Sequence, residues 1–105
     1  PLGTPSRIIV LLNMVTPEEL EDEEEYADIL DDIKGECERF GAVTSLVLPR
    51  PRDGMLAAVG KVFVEFSEVQ AAQSAATELH GRGFSNRTVI VEFMDEGAYA
   101  RREFA

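Results

Sequence analysis

The sequence predicts an α+β domain of strand, helix, strand, strand, helix, strand order. Its four strands form an antiparallel sheet, two helices cover one face, and a short helix follows the last strand. Three observations carry this expectation. Apolar residues recur at three- and four-residue spacing through 26–40 and again through 69–79, the stripes of two amphipathic helices. Short β-branched runs of strand length flank them at 8–13, 43–48, 60–66 and 88–93. With 105 residues, the chain has material for one hydrophobic core and not two.

Taken in order, Pro1, Leu2 and Gly3 read as a remnant of tag removal. Residues 1–4 are therefore set aside as tag remnant and linker, and 5–105 as the single domain. The run 8–13 is apolar and β-branched at its start, a buried strand. Thr16-Pro17-Glu18-Glu19 is a helix-start box, with threonine as cap, proline in the first helical position and glutamate in the third. About one turn precedes a second start near Asp22. From there Tyr26, Ile29, Leu30, Ile33, Cys37 and Phe40 form one stripe, which Gly41 ends. A second strand, 43–48, closes in a loop over 49–54. The third, 60–66, alternates Val62, Val64 and Phe66 with Lys61, Phe63 and Glu65, so one face looks to a core. Ser67 and Gln70 open the second helix, which carries Val69, Ala72, Ala76 and Leu79 inward. After the fourth strand, Asp95 caps a last short helix containing Tyr99. This order is the split βαβ arrangement of ferredoxin-like domains. That fold hosts many functions, so the site must decide.

Composition narrows the field. Hydrophobic residues make up 45% of the chain, a folding composition. The longest apolar run falls far short of the roughly 20 residues a membrane span needs. The single Cys37 builds neither a disulfide nor a metal cage alone, and the chain reads as intracellular. Net charge is −10. Twelve acids and two bases lie between Thr16 and Phe40, while the remaining eight of each cancel, so the whole excess sits on one stretch. Such a stretch repels phosphate and attracts a basic partner; it also serves as a solvated helix face. Nothing here points to an enzyme or a cofactor. His80, the only histidine, falls at a helix end, a place for capping carbonyls. Cys37 lies on the apolar stripe beside Glu36 and Glu38, which disfavours a thiolate. No phosphate-cradling glycine loop or metal-ligand spacing is present.

The commonest task of this fold is RNA binding as an RRM, in which aromatics on the two central strands stack bases. The segments 9–14 and 60–66 sit where the two ribonucleoprotein motifs belong. Their stacking positions are degraded: Val10 replaces one aromatic and Lys61 another, leaving Phe63. At about 1–3 kcal/mol per stacked base, two lost platforms remove several kcal/mol. Phe63 has two readings, a base platform or a ring covered by the carboxyl-terminal segment through Tyr99 and Phe104. Lys61, Arg50 and Arg52 are possible phosphate contacts. Single-stranded RNA binding on the sheet, with Lys61 and Phe63 as residual contacts, stays as the alternative function.

Two features remain elsewhere. Asp28, Asp32 and Glu36 recur every four residues, an acidic ridge beside the helix stripe. Like charges at this spacing cost a few tenths of a kcal/mol per pair, which a bound cation would relieve. Phe84 stands in the loop 81–87 between glycine- and serine-bearing turns, either tucked under the loop or held as a contact surface. Arg82-Gly83-Phe84 matches the Arg-X-Phe signature of UHM domains. Asn13-Met14-Val15, Pro17-Glu18-Glu19-Leu20, Asp22 to Tyr26, Pro49-Arg50-Pro51, Asp53-Gly54, the third strand, Tyr99, Arg101, Arg102 and Phe104 extend the likeness. Nearly the whole chain thus resembles the UHM family, RRM-shaped protein-binding modules of splicing factors, in particular the type that ends the large subunit of the U2 auxiliary factor.

The resemblance implies a nuclear module of pre-mRNA splicing that takes a basic, tryptophan-containing linear segment during 3′ splice-site recognition. The tryptophan would enter between the two helices against Phe84, bracketed by Arg82, with Glu36 pairing to Arg82. Asp28, Asp32 and Glu36 would meet Lys/Arg residues ahead of it. The implied partners are the branch-point-binding protein and the large scaffold subunit of the U2 snRNP. RNA would be bound weakly or through other domains of the parent chain.

Overall fold

The computed structural model describes residues 3–54, 56–84 and 86–104. Strand β1 (Ile8–Leu12) pairs antiparallel with both β3 (Val62–Phe66) and the edge strand spanning Ile90–Met94; β3 also pairs with β2 (Val43–Val47). Two-residue strands β4 (Gly83–Phe84) and β5 (Arg87–Thr88) form a separate ribbon, so the edge strand is β6 and the main sheet runs β2-β3-β1-β6. Helices α1 (Glu23–Glu38) and α2 (Val69–Leu79) cover one face. Helix α3 (Glu96–Ala100) begins the segment that covers the other.

Strand alternation divides the apolar residues between two cores. Ile9, Leu11, Val62, Val64, Phe66 and Val91 pack beneath the helices, with Ile33 and Cys37 of α1 and Ala72, Ala76 and Leu79 of α2. On the opposite face Ile8, Val10 and Phe63 pack with Ala58, Tyr99 and Phe104. The cross-strand pair Val10–Phe63 therefore belongs wholly to this second core. Burial holds the Cys37 thiol up at about 12, with Glu36 and Glu38 adding to the shift, so the sulfur stays protonated.

The helix starts behave as the local chemistry requires. The Thr16 amide and hydroxyl donate to Glu19 Oε1 at 2.9 and 3.0 Å, and the box yields one 3₁₀ turn, Glu18–Leu20. Asp22 then caps α1 by accepting from the Glu24 and Glu25 amides. Asp95 likewise caps α3 through the Ala98 amide. A Cβ on Gly41 would meet the Ala71 Cβ at 2.5 Å, so this glycine also admits the close approach of α2.

Several expectations need correction. Residues 60–61 and 48 lie outside the strands, and Thr88 belongs to β5 rather than to the last sheet strand. The cap of α2 is Glu68, with no side-chain hydrogen bond, not a Ser67–Gln70 box. Val69 is 37% exposed rather than inward. Burial of Ala71 and Ala75 centres the inner arc of α2 near Ala75 and Leu79. That leaves Val69 roughly 90° off, at 100° per residue. The carboxyl-terminal segment does cover Phe63, which is 2% exposed, with the Phe104 ring centroid 4.8 Å away. While that cover stays in place, Phe63 has no face for a base.

Candidate functional site

The ridge and the Arg82–Phe84 segment, distant in sequence, meet across one cleft. The 81–87 segment, read from sequence as a loop, is largely the β4–β5 ribbon, with Gly83 opposite Thr88 and Phe84 opposite Arg87. Ser85 lies outside the described residues. Asn86 takes φ 67°, a left-handed conformation that asparagine tolerates beside a tight turn.

Hydrogen bonds tie this ribbon to the body. The Gly81 amide donates to Val89 O and the Val89 amide to Arg82 O, at 2.8 and 2.9 Å. Arg87 Nη2 donates to Met14 O and to Glu19 Oε1, both at 3.0 Å. Burial alone would raise the Glu19 carboxyl, but its bonds from Thr16 and the Arg87 guanidinium outweigh that and hold it below the ordinary range. Asn13 Nδ2 donates to Thr88 O. At the helix end the His80 ring is engaged differently from the expected carbonyl cap: its Nδ1 accepts from the Val91 amide at 3.0 Å.

Between ribbon and α1 lies a cleft of about 350 Å³. Its inner surface is apolar, made by Met14, Val15, Ile29, Ile33, Leu79 and Val89, and its rim carries Asp32, Glu36, Arg82 and Phe84. Phe84 is 41% exposed, one of three large apolar side chains left open among the described residues. The others, Leu56 and Val69, do not border the cleft. Arg82 Nη1 reaches Glu36 Oε1 at 2.6 Å, and Arg39 Nη1 contacts the same oxygen. The Arg82 hydrogen bond is the main reason the Glu36 carboxyl lies below its ordinary value. Glu36 is thus occupied as a tether. Asp28 and Asp32 are exposed, and among the described residues no ion pair engages them. Asp32 stands on the rim; Asp28 lies one turn farther out and does not line the cleft.

The sheet face offers less. Beside Lys61 there is a dent of about 120 Å³, which Glu92 and Glu103 also border, so the cation is flanked by acids. Arg50 and Arg52 both turn to Glu23, and the Arg50 guanidinium lies 4.1 Å from the Tyr26 ring centroid. Among the described residues no cluster of metal-ligating side chains occurs, and no helix is long and apolar enough to cross a membrane.

Sequence reasoning placed Arg82, Phe84, Asp32 and Glu36 at this site but missed its floor. Leu79 read as core, Val89 as part of the fourth strand, and Met14 and Val15 as a connecting segment, since spacing does not separate a cleft floor from a core. It also missed Arg87. The signal was a second cation closing the 81–87 segment, four residues after Gly83.

Residues 5–104 match the family described as the MUD2 C-terminal RRM domain. The chain is 37% identical over 102 residues to a U2af large-subunit splicing factor of Oryza sativa, covering 95% of this chain and 18% of that protein. It is 36% identical over 106 residues to a U2af large-subunit splicing factor of Arabidopsis thaliana, covering 99% and 18%. It is also 37% identical over 97 residues to the serine/threonine-protein kinase Kist of Pongo abelii, covering 92% and 22%. The chain therefore spans about a fifth of the length of these curated relatives. Among solved structures, that of the RNA15 RRM superposes with a TM-score of 0.61 at 22% identity over 92% of this chain and 99% of that one, a likeness of fold.

Proposed function

The chain belongs to the MUD2 C-terminal RRM domain family, and from that premise we propose that it serves as the protein-interaction module of a pre-mRNA splicing factor. It would receive a basic, tryptophan-bearing linear segment of partner splicing factors during 3′ splice-site recognition in the nucleus. Membership in an RRM family makes it a binding domain and not an enzyme. The observation that carries the ligand assignment is the half-open Phe84 ring at the mouth of an apolar cleft whose rim also carries Asp32, an acid in no ion pair among the described residues.

Chemistry divides the roles. An indole inserted against Phe84, Leu79 and Met14 would leave water on nearly all sides. About 150–250 Å² of aromatic surface at 25 cal/mol/Å² is worth roughly 4–6 kcal/mol before ordering costs. Arg82, held by Glu36, would flank the ring. Asp32 and Asp28, in line along α1, would take Lys or Arg residues preceding the tryptophan. Exposed ion pairs give about 0.2–1 kcal/mol each, so the aromatic sets affinity and the acids set orientation and association rate. Exchangeable, micromolar-class binding follows. By family resemblance, the proposed partners are the branch-point-binding protein and the large scaffold subunit of the U2 snRNP.

The test is a side-by-side titration of this domain with a Lys/Arg-plus-tryptophan peptide, the same peptide with alanine for tryptophan, and a pyrimidine-rich RNA. Only the first is expected to bind in the micromolar range. RNA binding tighter than the indole peptide would overturn the proposal.

A further inference from the structure

The ribbon that carries Arg82 and Phe84 is joined to the body at one place where a proton matters. His80 closes α2, and its imidazole Nδ1 accepts from the Val91 amide at 3.0 Å. Val91 is fully buried on β6, the outermost strand of the sheet, and pairs with Leu11 of β1 on its inner side. The imidazole therefore satisfies the amide that no further strand receives. Immediately beyond it run the two backbone bonds between Gly81 and Val89 and between Val89 and Arg82. A backbone amide can only donate, so this geometry requires neutral imidazole with its proton on Nε2. Protonated imidazole presents N–H at both nitrogens, and Nδ1–H would face the Val91 N–H with no acceptor between them.

We propose that His80 is a proton-sensitive positioning residue for the aromatic wall of the cleft: neutral imidazole locks the root of the Arg82–Phe84 ribbon, and protonation loosens it. The proposal rests on the reading of the cleft as an indole site. The charges nearby do not counter it. Glu78 on α2 borders the outer groove with Gln73 and Thr77. Glu92 on β6 borders the dent on the opposite face of the sheet. Arg82, two residues on, is held by Glu36. Among the described residues none of them forms an ion pair with the ring.

The rest of the chain makes the idea cleanly testable. Histidine is the side chain whose charge ordinarily changes between about pH 5 and 8. His80 is the only histidine, and Cys37 is held at about 12. Glu36 and Glu19 lie below the ordinary carboxylate range and stay charged throughout that interval. The bond from the Val91 amide is open to neutral imidazole and closed to imidazolium, which has no acceptor at Nδ1.

The experiment is calorimetric titration of the histidine-free basic tryptophan peptide at about pH 7.5 and about pH 5.5. It uses wild type and His80→Asn, whose amide oxygen can accept from Val91 without titrating. Wild-type affinity is expected to fall roughly three- to tenfold, the worth of about one hydrogen bond, while His80→Asn stays level. An equal fall in both overturns the proposal. Amide resonances of peptide-free wild type provide an arm that needs neither ligand nor variant. Val91, Arg82 and Phe84 should move together through one titration; movement of Val91 alone overturns the link to the ribbon. If the three move together and the peptide binds at neither pH, the coupling stands and the indole reading fails.

Discussion

Phe63 and Phe84 mark opposite sides of the molecule and receive opposite treatment. Phe63, at the centre of the sheet where an RNA-binding domain keeps an open platform, is 2% exposed beneath Phe104. Phe84, on a two-residue strand at the periphery, is 41% exposed beside an apolar cleft. The covering is substantial. Tyr99 and Phe104 are both nearly buried, the Tyr99 hydroxyl is hydrogen-bonded to Ser45, and Glu96 at the start of α3 receives both the amide and Nε of Arg7. Burial pushes the Tyr99 phenol up, as expected of a ring held in a core. The fold thus commits its carboxyl-terminal segment to closing one aromatic surface while leaving another open. Exposed aromatic surface that the chain does not close, beside a ready cavity, is the mark of a contact.

The sharpest way to break this comparison is to uncover the closed side. Phe104→Ala removes a buried ring from the second core and should cost about 3–5 kcal/mol of stability, read by chemical denaturation. Affinity of the folded domain for the indole peptide should not change, because Phe104 lies across the sheet from the cleft. Nor should RNA binding appear, since Val10 and Lys61 give Phe63 no second platform. A gain of RNA affinity would show that the segment masks a working surface. Phe84→Ala is the mirror experiment. Losing an aromatic wall worth about 1.5–3 kcal/mol should weaken peptide binding by roughly ten- to a hundredfold or more, with little change in melting. Unchanged affinity would remove Phe84 from the site.

What the sequence disclosed follows the range of the forces involved. The strand–helix order, the Thr16 box, the Asp22 and Asp95 caps and the α1 stripe were readable because each is decided within a few residues. The pairing of Arg82 with Glu36, 46 positions apart, was anticipated only through family resemblance. The cleft floor was not legible. Met14 and Val89 come to lie under Phe84 because Arg87 and Asn13 tether the ribbon across the end of β1, and no local period encodes that. Val69 misled because the stripe on α2 is written in alanines, which shift the buried arc without changing the helical period.

On the open side the acids should rank below the ring. Asp32→Lys reverses a charge at the cleft rim that has no partner among the described residues, so the free domain should be no less stable. Binding of the basic peptide should weaken by roughly tenfold at low salt, mainly through association rate, and by less as salt screens the ridge. Stopped-flow association at two ionic strengths reads this, and an unchanged rate would reduce the ridge to a solvated face.

The smallest effect separates the tether from the ridge. Glu36 titrates below its ordinary 4.5, chiefly because Arg82 donates to it. A depressed carboxyl contributes stability that is fully present above 4.5 and is lost as pH falls through the lower folded value. Part of the acid destabilisation should therefore belong to this pair, at under about 1 kcal/mol for an exposed bridge. Thermal midpoints taken downward from about pH 6 should decline less steeply in Glu36→Gln than in wild type, because the amide has no charge to lose. If Glu36→Gln declines as steeply as wild type, the Arg82 bridge does not hold the ribbon, and the backbone bonds around Val89 carry Phe84 together with the Arg87 and Asn13 tethers.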